Sequence, residues 1–123
     1  MRILKITILA IVVLSISGLL LAKQNKYGVA DVRKVTFSSS MRVGDALLPQ
    51  GAYEVRHVME ADNHIMTFKQ LGTNKPAEAR VPCKLVPLKA KIDRDQVAYT
   101  VNAANERVLQ VLRFSGDSAE HVF

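Results

Sequence analysis

His57-Val58-Met59 and His64-Ile65-Met66 form the densest group of donor side chains in this 123-residue chain. Imidazole and thioether together suit copper, because soft sulfur selects Cu(I) and imidazole serves both oxidation states. One intervening residue leaves each His on the same strand face as its Met. This resembles, at these four residues only, the His and Met ligands of periplasmic copper chaperones, which use a different spacing. The competing reading is plain packing: Met fills irregular core gaps, and two histidines near the end of a half-buried hairpin are ordinary. On sequence alone packing outweighs copper, so no cofactor is the first expectation. A copper site at His57, Met59, His64 and Met66 is the alternative.

Cys83 follows Pro82 and shares parity with Ala77, Ala79, Val81 and Leu85, so a buried free thiol is expected. Being the sole cysteine, it excludes an internal disulfide framework and a cysteine-rich zinc finger. An intermolecular disulfide or a reactive thiol would be its other uses.

Nothing else has catalytic spacing. Ser38-Ser39-Ser40, Ser115 and Ser118 lack a GxSxG elbow. The tail Gly116-Asp117-Ser118-Ala119-Glu120-His121 collects serine, acid and histidine, but triads assemble from distant segments. The tail therefore reads as a polar tail or end strand. There is no HExxH zinc motif, no phosphate-cradling glycine loop and no pair of carboxylates spaced as acid and base. The expectation is a protein that is not an enzyme, with no catalytic residue. Lys84, Lys89, Lys91 and Arg94 form the densest basic stretch, yet Asp93 and Asp95 dilute it and no aromatic side chain interleaves. Nucleic acid is not an expected partner.

The elements that must position these residues are strands. Apolar and polar residues alternate from about Val32 onward, and no ten-residue stretch keeps a helical stripe. Seven strands are expected: 33–37, 41–43 with a continuation at 46–48, 53–60, 64–70, 77–86, 96–102 and 107–114. Turn signals lie at Gly44-Asp45, Leu48-Pro49-Gln50-Gly51, Asp62-Asn63, Gly72 to Pro76 and Ala103 to Glu106. The spacing predicts an all-β fold, a single antiparallel sandwich or small barrel of about seven strands after an N-terminal apolar signal helix. Inward positions are Tyr53, Val55, Phe68, Val81, Tyr99, Val101, Leu112 and Phe114.

A two-residue turn at Asp62-Asn63 would pair Ala61 with His64, Met59 with Met66 and His57 with Phe68. That register puts Tyr53, Val55, His57, Met59, Met66 and Phe68 on one face. It also sets Arg56 opposite Lys69, an unfavourable like-charge pair.

The chain opens Met-Arg-Ile-Leu-Lys and then runs uncharged from Ile6 to Ala22. A basic start, an apolar run and small residues near its end describe a secretory signal peptide over 1–22, cleaved after Ala22. The alternative is an uncleaved membrane anchor, with membrane contact confined to 1–22. Residues 23–31 read as a polar linker and 32–123 as the all-β domain. The whole chain carries a net charge of +6, and without Arg2 and Lys5 it carries +4, a modest excess. The expected location is periplasmic or extracellular.

The segment Val43-Gly44-Asp45-Ala46-Leu47-Leu48-Pro49-Gln50-Gly51-Ala52-Tyr53-Glu54-Val55 resembles a VGxxxLPxGxYxV pattern of small secreted bacterial all-β proteins. In those proteins the pattern follows a signal peptide and opens a domain of about a hundred residues; the resemblance implies no activity and no site residue. The expected function is an exported, non-enzymatic binding or envelope-associated interaction module, its partner an envelope or extracellular component or a second copy at an edge strand. A periplasmic carrier of a small ligand or of copper is the alternative.

Overall fold

The computed structural model describes residues 27–123, so the expected signal segment and the Ala22 cleavage site lie outside the described residues. The described chain forms ten strands: β1 Val32–Phe37, β2 Met41–Val43, β3 Ala46–Leu48, β4 Gly51–Glu60, β5 Asn63–Gln70, β6 Glu78–Pro82, β7 Lys84–Pro87, β8 Gln96–Val101, β9 Arg107–Arg113 and β10 Ala119–Val122. They make two sheets, and neither closes into a barrel. The first has the order β1-β4-β5-β6; the second has the order β3-β2-β9-β10-β7, with β8 on β9. Apolar side chains of both sheets share one core, including Phe37, Tyr53, Val55, Met66 and Phe68 from the first and Met41, Val43, Leu48, Leu109 and Leu112 from the second. Each of the larger side chains buried there contributes roughly 1.5–3 kcal/mol.

The count exceeds seven for three reasons: 41–48 folds as the β2–β3 hairpin within one sheet, 77–86 breaks where the chain crosses between sheets, and the tail adds β10. The stretch expected as one strand over 77–86 ends its first half at Pro82, which has no N–H to continue a ladder. Its second half, β7, joins the other sheet against β10. Cys83 sits at this crossing, and its N–H bonds the His64 carbonyl at 2.9 Å.

Another crossing, from β3 to β4, is the VGxxxLPxGxYxV segment. Val43 and Ala46 pair across Gly44-Asp45, with Gly44 at φ 58°, the first position of a hairpin turn that demands positive φ. After Leu48 the chain turns through Pro49-Gln50 into β4. Gly51 takes φ 151°, and the Tyr53 hydroxyl donates to the Pro49 carbonyl at 2.6 Å. Val43, Leu48, Tyr53 and Val55 are all buried. Every fixed position of the pattern therefore builds a corner.

The sheets are not purely antiparallel. β2 meets β9 in parallel at Arg42 and Val108. Because β8 occupies one edge of β9 along its length, β2 and β10 share the other. Arg42 fixes this junction with two bonds to Glu106, at 2.9 and 2.8 Å. Bonds from Arg42 and Asn102 hold the Glu106 carboxyl down to about 2.

Two further expectations are corrected. The β4–β5 turn is Ala61-Asp62, pairing Glu60 with Asn63, Met59 with His64, His57 with Met66 and Val55 with Phe68. This two-residue shift keeps the predicted face but removes the Arg56–Lys69 clash: Glu54 now faces Lys69 and Arg56 faces Thr67. Tyr99 and Val101 are exposed, not inward, because β8 extends past the core. Of the two readings of the C-terminal tail, the end strand holds: β10 lies between β9 and β7 with Ala119 and His121 buried. In the segment expected as linker, Val29 and Ala30 are also buried.

Candidate metal centre

All three histidines and the single cysteine of the chain meet at one end of the core. His57 comes from β4, His64 from β5, Cys83 from the crossing after β6, and His121 from β10. The site thus draws on both sheets and on the corner between them. Register explains the gathering. His57 is on the inward face of β4 with Tyr53 and Val55, and His121 is inward on β10 with Ala119. The Pro82 break brings Cys83 in beside them.

One donor atom each from His57, Cys83 and His121 lies within 4.8 Å of the others, and all three residues are buried. The Cys83 Sγ to His121 Nδ1 distance is 4.0 Å. Around an ion with metal–nitrogen bonds near 2.0 Å and metal–sulfur near 2.3 Å, nitrogen and sulfur stand roughly 3.5–3.7 Å apart in tetrahedral or trigonal geometry. Side-chain shifts of about half an ångström close that pair. His64 Nδ1 lies 3.1 Å from His57 Nε2, with the rings stacked at a centroid separation of 5.1 Å. One of those nitrogens donates to the other, which fixes the orientation of both rings as an outer hydrogen bond does for a metal-bound imidazole.

The electrostatics suit neutral imidazoles. Burial, then the proximity of His57, Arg33 and His64, lowers His121 to about 3. Burial and His64 also lower His57. Burial pushes the Cys83 thiol up to about 11. Such a thiol is a poor nucleophile at neutral pH, whereas coordination to a cation would deprotonate it. Arg33 is held by its bonds to Asp117 and the Ser115 carbonyl.

The sequence-expected set of His57, Met59, His64 and Met66 divides here. His57 and His64 touch. Met66 is buried and is the cross-strand partner of His57. Met59 pairs with His64 at the open end of the hairpin and is 39% exposed. Sequence reasoning missed His121, and placed Cys83 only as a buried thiol. The alternation of Ala119 and His121 was the available signal, masked by Glu120 between them and by the polar Asp117 and Ser118 before them.

The cluster is not sealed. A groove of about 870 Å³ runs past Tyr27, Asp62, His64, Cys83, Leu85 and Phe123. The Tyr27 ring stands edge-on to His64 at 4.8 Å. A smaller depression of about 380 Å³ on the outer face of the first sheet is lined by alternating charges, among them Glu54, Arg56, Lys69, Glu78 and Arg80. Their signs alternate, and no single charge dominates there.

Comparison with protein-family models, with curated proteins and with solved structures found no match.

Proposed function

We propose that this chain is an exported metal-holding domain and that its ion is copper as Cu(I). The observation that carries the reading is the convergence of His57, Cys83 and His121 on one buried point between the two sheets. A thiolate with two imidazoles is a donor set for copper or zinc. Three features favour Cu(I). The set offers three donors, while structural zinc takes four. Met66, the buried cross-strand partner of His57, puts a thioether residue on the same face of the hairpin, and thioethers select Cu(I). An apolar ring flanks the set, Phe114 at 5.7 Å from His121.

Export belongs to the reading through the basic start and the apolar run to Ala22. The two sheets then act as a small sandwich that holds the ion away from solvent, as a carrier or store would. Of the expected set His57, Met59, His64 and Met66, the proposed centre keeps His57 as a ligand and joins it to Cys83 and His121. X-ray absorption at the copper edge of the loaded, reduced protein tests the assignment. The expected spectrum contains sulfur together with imidazole nitrogen. A shell of nitrogen and oxygen alone would contradict it.

A further inference from the structure

The three residues of the proposed centre are buried, and the groove outside is lined by His64 as well as by Cys83. Burial deepens across the histidines: His64 is half-buried at the groove, His57 is 5% exposed, and His121 is 1% exposed. His57 is the shared member. Its Nε2 lies 3.1 Å from His64 Nδ1, close to the roughly 3.3 Å that separates two nitrogens on one tetrahedral ion. It also belongs to the inner group with Cys83 and His121. His64 is outside that inner group, yet it lines the groove together with Cys83.

Resting on the metal-holding reading, we infer that His64 is the entry ligand of the centre. Cu(I) is first held between His64 and His57 at the floor of the groove. It then passes to His57, Cys83 and His121 through the imidazole that the two sets share. The ion remains Cu(I) throughout. One Cu–N bond to His64 breaks as bonds to Cys83 Sγ and His121 form, and the thiol proton leaves to water through the groove. Release reverses the order. The half-buried imidazole is therefore a positioning residue for transfer, and the resident ion does not depend on it.

The test is the rate of exchange with a chromophoric Cu(I) chelator such as bathocuproine disulfonate, measured on the reduced full chain by stopped flow. Wild type, His64→Gln and Asn63→Trp are compared after near-ultraviolet circular dichroism has shown the same fold. Asn63 is exposed and lines the groove, so the Trp narrows the entrance without changing a donor. Both variants are expected to load and unload roughly tenfold or more slowly than wild type, and Asn63→Trp, which changes no donor, is expected to reach the wild-type end point. Wild-type rates in His64→Gln would overturn the inference, as would loss of the bound ion in that variant. Failure of wild type to take up Cu(I) at all would instead overturn the metal-holding reading on which the inference rests.

Discussion

His121 is kept neutral by burial and by the histidines and Arg33 around it, which lower it from 6.5 to about 3. Its unfolded form binds a proton at higher pH than its folded form. The stability it contributes is therefore complete above about 6.5 and is lost as pH falls toward about 3. For the metal-free protein we expect the urea midpoint to fall between pH 7 and pH 5, with a slope of at most about 1.4 kcal/mol per pH unit from this group. His121→Leu should flatten that slope. A wild-type midpoint that does not move over this range would contradict the assignment of a neutral buried imidazole. At Cys83 the same burial acts in the other sense, raising the thiol to about 11. Binding of a cation there should release about one proton per ion at neutral pH, measurable as acid liberated in weakly buffered solution.

At the scale of elements, the corner at Leu48 to Val55 and the β4–β5 turn decide where the donors point. Tyr53→Phe removes the bond to the Pro49 carbonyl and should cost about 0.5–1.5 kcal/mol in chemical denaturation. Gly51→Ala, at φ 151°, should cost about 1–3 kcal/mol. Ala61 is the opposite case: a non-glycine residue at φ 53°, where Ala61→Gly should stabilise by about 1 kcal/mol. That residue also explains why the register was only half legible in the sequence. Asp62-Asn63 has the better turn chemistry, and it was the natural choice. The chain accepts strain at Ala61, and in return Glu54 faces Lys69 and His57 faces Met66. The inward face of β4 was legible because alternation survives a shift of two residues. Cys83 and His121 were not legible as partners, because only the crossing at Pro82 and the insertion of β10 bring them to His57.

Across the whole molecule, the fold class followed from period-two alternation, while the division into two sheets did not. Short strands that switch sheets at Pro49 and Pro82 look continuous in one dimension. The end of the second sheet was misread for a related reason: Tyr99 and Val101 alternate as core residues do, but β8 lies beyond the first sheet and stays exposed. Val101→Lys is accordingly expected to change stability by no more than about 0.5 kcal/mol, whereas Leu112→Ala in the shared core should cost about 2–5 kcal/mol. Thermal unfolding of the two variants against wild type separates these outcomes. The two sheets also explain why the donors lie where they do, since a position between them is reached only by inward residues of β4, β10 and the crossing. The most direct test of that arrangement is a Cu(I) competition titration of the reduced protein. One ion should bind per chain, Met59→Leu should bind as wild type does, and Cys83→Ser should lose roughly a hundredfold or more in affinity. Wild-type binding no tighter than millimolar, or binding unchanged in Cys83→Ser, would contradict the account.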